Sequence, residues 1–446
     1  MPYNSGIPMA SRRRSRFGSG LLIALGLAIF VADPALAHNE FVSSSPIDGA
    51  SIETSPATWD VTFAKEVPLD SASGEIVGPD GTITTLAPPV HGSSTSVISF
   101  TLPPGLTGTH TARWRLVSVD GHVISGRVTF AVGTGVDLSG VLADGATTNL
   151  DPGDPAPEPV RWALRLFGFV ALMALGGLLV SDLYIVEGVF AALRDRAVLK
   201  VIAGALVVVP LLQMLIFLGD VFGTSVLGAL SHLADVFDTT PGSMMFVRTV
   251  LGGVLCYQLV TVMRGRPTVS EQRLVLAAAG LYAFAQAYTG HSRSRAWPIL
   301  GIPADTVHLA AASVWLGGLA VLVLLVAPLL DPKDLWRSFE RYGRVARLAV
   351  IALIVTGVIQ TLRLHGGITT LFSQSHGRLL LLKLIVVAIM LRLGDMNRRR
   401  IAARMKDNPN LMEKKLREVT KAATVEVATG GVVLAVTAAL VTSSFS

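Results

Sequence analysis

The tetrapeptide Val119-Asp120-Gly121-His122 sets a carboxylate and an imidazole two residues apart, directly before a strand-like stretch. On an extended backbone such residues point to one face, so Asp120 and His122 can chelate a single ion. Taken alone, the pattern also fits an Asp-Gly turn with a surface histidine. The N-terminus changes that weighing. Arg12, Arg13, Arg14 and Arg16 precede an apolar run over 21–32, and Ala35 and Ala37 form an A-x-A cleavage pattern, together the signature of a secretory signal peptide over 1–37. The run is too short for a bilayer, which needs about 20 apolar residues. Cleavage after Ala37 would leave His38 first, with a free amine and an imidazole on one residue. His38, Asp120 and His122 then offer three nitrogens and an oxygen, a set suited to tetragonal Cu(II). The lone Cys256 excludes an internal disulfide and any Cys-rich metal cluster. No methionine occurs over 38–159, so this part offers no thioether site for Cu(I). His91, in a Pro/Gly/Ser loop, and His110, in a strand, read as structural.

A second group of donors lies in apolar sequence. Asp305 and His308 are i and i+3 at the start of a helix, and Trp315 continues that face. Gly290-His291 closes the preceding helix at similar depth, and Met244-Met245 start an earlier one. Ionisable side chains inside a membrane are costly unless they have a partner or a task. Imidazole and carboxylate suit Cu(II), whereas the thioethers of Met244 and Met245 suit Cu(I). His232, His365 and His376 read as interfacial polar residues. Arg248 lies near the depth of Asp220 and Asp305, which predicts an ion pair. Lys383 and Glu426 fall at opposite depths; either can serve a translocation route.

The elements that position these groups divide the chain. Over 38–159 there are 4 basic and 14 acidic residues, whereas 160–446 has 29 basic and 16 acidic, so the overall charge of +6 belongs to the second part and does not point to nucleic acid. Hydrophobic residues make up 51% of the 446 and charged residues only 15%, which excludes an ordinary soluble enzyme. From about 51 to 132, alternations such as Trp59, Val61 and Phe63, broken by Pro79-Asp80-Gly81 and Pro103-Pro104-Gly105, predict a β-sandwich or a small Greek-key barrel. A Pro-rich acidic linker follows over 135–160. Eight apolar segments come next, at 161–181, 198–219, 243–263, 272–290, 305–329, 346–364, 378–396 and 421–442. The four loops on one side hold 21 Lys and Arg against four in the three loops of the other. The positive-inside rule and the signal peptide thus agree on one topology, with the N-terminal domain outside and all five membrane-part histidines at the outer level.

The His38 start, the Ser-Ser-Pro-x-Asp-Gly-Ala run over 44–50, Trp114-Arg115 and Val117-Ser118-Val119-Asp120-Gly121-His122 before Gly126 resemble the periplasmic copper-binding CopC family. Gly290-His291, Asp305-x-x-His308 and Trp315-x-Gly317-Gly318 resemble the membrane protein family CopD, so the chain looks like a CopC and CopD fusion. The resemblance implies a cupredoxin-like β-barrel over 38–134 that binds Cu(II) through His38, Asp120 and His122. It also implies an eight-helix domain over 161–446 associated with copper import across the cytoplasmic membrane. Implied partners are the copper ion, the bilayer, and a periplasmic copper donor or a reductase. The chain lacks the Met-rich segment of some CopC variants, and its His110 stands where an aromatic residue is usual.

No nucleophile elbow, zinc-protease motif or catalytic triad is present, which argues against an enzyme, and no Walker motif would let this chain spend ATP. Two other readings stay open at this level. One is a haem-binding electron-transfer protein or copper reductase using His291 and His308 as axial ligands; the other is copper sequestration or delivery to exported enzymes without transport. The ligand set itself is testable. One extra residue before His38 converts its amine to an amide, so copper affinity of the exported domain should fall strongly in a calorimetric titration; unchanged affinity would remove the amine from the set.

Overall fold

The computed structural model describes residues 41–118, 123–134, 156–193, 196–264, 268–290, 297–365, 375–402 and 409–442. The first two stretches build a β-sandwich. Strands β1 (Phe41–Ser45), β3 (Thr58–Phe63), β7 (Val97–Thr101) and β6 (Val90–His91) form one sheet in the order β1-β3-β7-β6. The other runs β2-β9-β8-β4-β5, from β2 (Ala50–Ile52), β9 (Val123–Val132), β8 (Gly108–Val117), β4 (Ser73–Val77) and β5 (Ile83–Thr85). All pairings are antiparallel except β2 with β9. The predicted alternation holds: Trp59, Val61 and Phe63 of β3 face inward and meet Phe100, Trp114, Leu116 and Phe130 between the sheets. His91 is an exposed residue of β6 and not part of a loop, as expected from its surroundings; pairing with Ile98 on β7 extends the sheet edge.

Among the CopC-like motif residues that are described, Asp48, Gly49, Trp114 and Gly126 are structural supports. Asp48 accepts the Thr129 amide at 2.8 Å, and the Gly49 amide donates to the Thr129 carbonyl at 2.7 Å, clamping the N-terminal run onto β9. Gly49 adopts φ 79°, which favours glycine. Gly126 stands opposite Trp114 on β8, and a Cβ there would come within 2.6 Å of the indole, so this glycine makes room for the ring.

The helical part comprises α1 (Glu158–Ile185), a short α2 (Val189–Leu193), α3 (Ala197–Phe222), α4 (Thr240–Arg264), α5 (Val269–Tyr288), α6 (Pro298–Leu329), α7 (Pro332–His365), α8 (Ser375–Ala402) and α9 (Pro409–Thr442). Among the described residues six of these are long and apolar enough to cross a membrane, namely α1, α3, α4, α6, α7 and α9. Segments 272–290 and 378–396 fold as α5 and α8 without reaching that standard: α5 is long enough but carries Glu271, Gln272, Arg273 and Gln286, and α8 carries Lys383 and a basic C-terminal part. Helix α1 starts at Glu158, inside the predicted linker, because Pro157 supplies its cap and Pro159 needs no N–H in the first turn. The basic stretches expected as loops over 333–347 and 392–421 are largely helical, since hydropathy marks where a helix leaves the apolar zone and not where it ends.

Helix α1 crosses α6 closely. A Cβ on Gly177 would overlap the Gly317 carbonyl, a Cβ on Gly317 would overlap the Met173 carbonyl, and a Cβ on Gly176 would overlap the Ser313 side chain. Small residues of this kind drive helix association in lipid, where apolar burial gives no preference for helix over tail. Two widened turns, Ser313–Gly317 and Leu322–Val326, interrupt α6 at and beyond this crossing. Gly177→Ala should therefore destabilise the full-length protein by about 1–3 kcal/mol through overpacking. Gly204→Ala on α3, where a Cβ meets nothing within 4 Å, should be neutral or stabilising through helix propensity. Thermal unfolding in detergent distinguishes the two, and equal melting temperatures would refute the packing assignment.

Candidate metal sites

Helix α6 carries Asp305 and His308 in its first half, and α7 presents a polar stripe to them at i, i+4 and i+7: Thr356, Gln360 and Arg363. The His308 Nδ1 lies 2.8 Å from the Thr356 hydroxyl. That hydroxyl gives its one hydrogen to the Ala352 carbonyl at 2.7 Å, so it accepts from His308 and fixes the proton on Nδ1. The Nε2 lone pair is left for a ligand, the arrangement by which proteins orient a metal-binding imidazole. Gly357 keeps the adjoining wall low: a Cβ there would stand 3.8 Å from His308 Cε1.

Asp305, one turn before His308, accepts from the Gln360 amide at 2.6 Å, and Gln360 in turn accepts from the buried Arg363 at 2.7 Å. Lys383 of α8 lies within electrostatic reach of both Asp305 and His308. The depth argument that separated Lys383 from Glu426 agrees with the structure, in which Glu426 has other neighbours. Three helices therefore converge on one polar layer of carboxylate, imidazole, amide and amine. Sequence spacing found Asp305 and His308. It missed Thr356 and Gln360, although a Thr-x-x-x-Gln-x-x-Arg stripe in apolar sequence was a usable signal.

Among the described residues no three of His, Cys, Asp and Glu gather as a metal cluster. His291, the third expected donor of this layer, lies outside the described residues. Met244 and Met245 are near the start of α4, where Met245 packs on Met214, Leu215 and Leu218 of α3 and on Ala229 and Val236. His232 stacks on Phe222 with ring centroids 3.9 Å apart and holds Asp235 at 3.0 Å. The expected ion pair of Arg248 is not formed. Asp220 is taken by Arg161 in a bidentate pair at 2.6 Å, and Arg248 instead donates to Gln213 and Gln286. Neutral amides take both terminal nitrogens of the guanidinium, while Asp220 is held by Arg161 on α1.

In the β-sandwich, His38, Asp120 and His122 lie outside the described residues, but their flanks are defined. Val117 pairs with Val123 at the end of the β8–β9 ladder, immediately before and after the Asp120-His122 segment. The Val117 amide is fixed by the Ser71 hydroxyl at 2.8 Å. At the start of β1, Phe41 stacks on Trp114 with centroids 6.4 Å apart, while Asp48 reaches Thr129 further down β9. Strand β1 thus begins at the level of Trp114 and runs away from the Val117–Val123 end. His110 is buried, bonds the Thr107 carbonyl at 3.0 Å and tilts against Phe130, which makes it a structural residue.

A β-sandwich joined to a multi-pass helical membrane part, with candidate metal donors in each, defines the class of protein. The sandwich matches the CopC domain over residues 41–133, and the last three helices match Copper resistance protein D, CopD, over residues 336–440. The chain is similar to Copper transport protein CutJ of Bacillus subtilis (strain 168), 26% identical over 400 residues that cover 86% of this chain and 71% of that protein. It is 31% identical over 121 residues to Copper resistance protein C of Xanthomonas campestris pv. juglandis, covering 25% of this chain and 91% of the relative. Inner membrane protein YebZ of Escherichia coli (strain K12) is 26% identical over 304 residues, covering 63% and 96%. The chain belongs to the CopC/CopD copper-resistance family and carries both domains in one polypeptide.

The His308 tautomer gives a direct check. Nitrogen-15 shifts of labelled His308 should report the Nδ1–H form in the native protein and a mixture in Thr356→Val. Metal affinity at this layer should fall about 10–100-fold in the variant, as for loss of other orienting partners. A native Nε2–H signal would remove His308 from the candidate ligands.

Proposed function

We propose that this protein acquires copper outside the cytoplasmic membrane and imports it. The exported CopC domain, residues 38–134 after removal of the signal peptide, captures Cu(II) through the His38 amine and imidazole, Asp120 and His122. Support comes from the flanks: β1 begins at the level of Trp114 and runs away from the end of the sandwich where Val117 and Val123 flank the Asp120–His122 segment in sequence. The 14 acidic residues over 38–159 draw cations towards this domain. Strands β8 and β9 also touch α3, so the capture site is borne by the strands that meet the helical bundle.

Copper passes from there to a layer formed by Asp305 and His308, with His291, Met244 and Met245 as further donors. The membrane part acts with eight spanning helices, α5 and α8 completing the six apolar ones, and its basic loops face the cytoplasm. The observation that carries this reading is the His308 imidazole. Its Nδ1 is committed to Thr356, no hydrogen bond reaches its Nε2 among the described residues, and Asp305 lies one turn before it on α6. A half-buried imidazole oriented through Nδ1, on the same helix face as Asp305, suits a cation in passage better than it suits a packing role. The Asp305 and His308 donors suit Cu(II), whereas the thioethers of Met244 and Met245 suit Cu(I), whose use would require one electron from a reductase outside this chain.

Copper uptake into proteoliposomes with oriented full-length protein tests the reading. Protein-dependent accumulation should occur, and His308→Ala and His291→Ala should abolish most of it. No accumulation with either Cu(II) or Cu(I), from folded and correctly oriented protein, would replace import by sequestration or delivery to exported enzymes.

A further inference from the structure

Glu426, midway along α9, has no part in the path just described. It is 4% exposed and lies among four helices. The Asn397 amide of α8 donates to it at 3.4 Å, and the Trp315 indole of α6 donates to it as well. Gly394 of α8 makes the space, since a Cβ there would come within 3.1 Å of Glu426 Oε1. Tyr342 of α7 is the titratable group that faces it, its hydroxyl bound to the Trp315 carbonyl at 2.9 Å. On α1, Arg165 serves the Val441 carbonyl about four turns away, and Lys421 on α9 itself is exposed. Among the described residues, the groups bonded to Glu426 are thus neutral.

A carboxylate buried with neutral donors needs a counter-charge, and a proton is the simplest. The surroundings tie that proton to α6. An indole N–H bonds an ionised carboxylate more strongly than a neutral carboxyl, so protonation loosens the link between α9 and α6. Trp315 sits inside the widened turn Ser313–Gly317, where α6 is most able to readjust, seven residues beyond His308 on the same face. From these contacts we propose that Glu426 is the proton-carrying group of the membrane domain, its proton moving opposite to copper in each passage. The inference rests on the transport reading above. A cytoplasmic proton forms the O–H bond as copper leaves inward; the bond breaks towards the outer side when the next ion enters. The electron pair stays on the carboxylate, and nothing is oxidised or reduced at this site.

The test uses proteoliposomes holding an entrapped pH dye and oriented full-length protein, either wild type or E426Q, which keeps the shape of the side chain. In the wild type, copper entry should make the lumen more alkaline, and an acidic lumen should accelerate entry. In E426Q both effects should be lost, while downhill copper entry persists. Wild-type entry without a pH change, or an E426Q pH response like that of wild type, would overturn proton coupling and leave transport standing. If the wild type moves no copper, transport itself fails, and infrared titration of the detergent-purified protein decides the protonation. A carboxyl C=O band titrating between about pH 5 and 9 and missing in E426Q supports a proton-binding Glu426; its absence refutes it.

Discussion

The close crossing of α1 and α6 is the contact on which the membrane part depends. In lipid two helices gain little from apolar burial, so backbone approach and van der Waals packing must hold them. Gly176 and Gly177 on α1 meet Ser313 and Gly317 on α6, with each missing side chain filled by the partner's backbone or by Ser313. The Ser313 hydroxyl bonds the Leu309 carbonyl and approaches the Met173 sulfur, so the crossing leaves no polar group idle. With one side of α6 fixed on α1, Asp305, His308 and Trp315 are turned to α7, α8 and α9, where their partners lie.

The polar groups of the bundle fall into separate sets. On α1, α3, α4 and α5, Arg161 pairs with Asp220, and Arg248 donates to Gln213 and Gln286. On α6, α7 and α8, the Asp305, His308 and Lys383 layer combines opposite charges with an imidazole whose second nitrogen stays open. Further along the bundle, Glu426 of α9 is held, among the described residues, by neutral donors.

The β-sandwich shows its own set of supports. Asp48, Gly49, Trp114, Gly126 and Ser71 are not ligands; they clamp the N-terminal run, fill the space between sheets and fix the end of β8. The Phe41–Trp114 stack fixes the start of β1 against β8.

Much of this was legible in sequence because it rests on local periodicity and solvent preference. Alternating Trp59, Val61 and Phe63 specify a half-buried strand, apolar runs specify the helices, and Asp305 and His308 one turn apart specify a shared face. Only tertiary structure decided the partners. Nothing local tells Asp220 that Arg161 lies nearer than Arg248, or gives Thr356 to His308 across 48 positions of chain. Trp315 and Glu426 are 111 residues apart and meet only through the packing of α6 against α9. Side-chain type and spacing set which face of an element is polar; which polar group it meets is set by how closely the backbones of distant elements can pack.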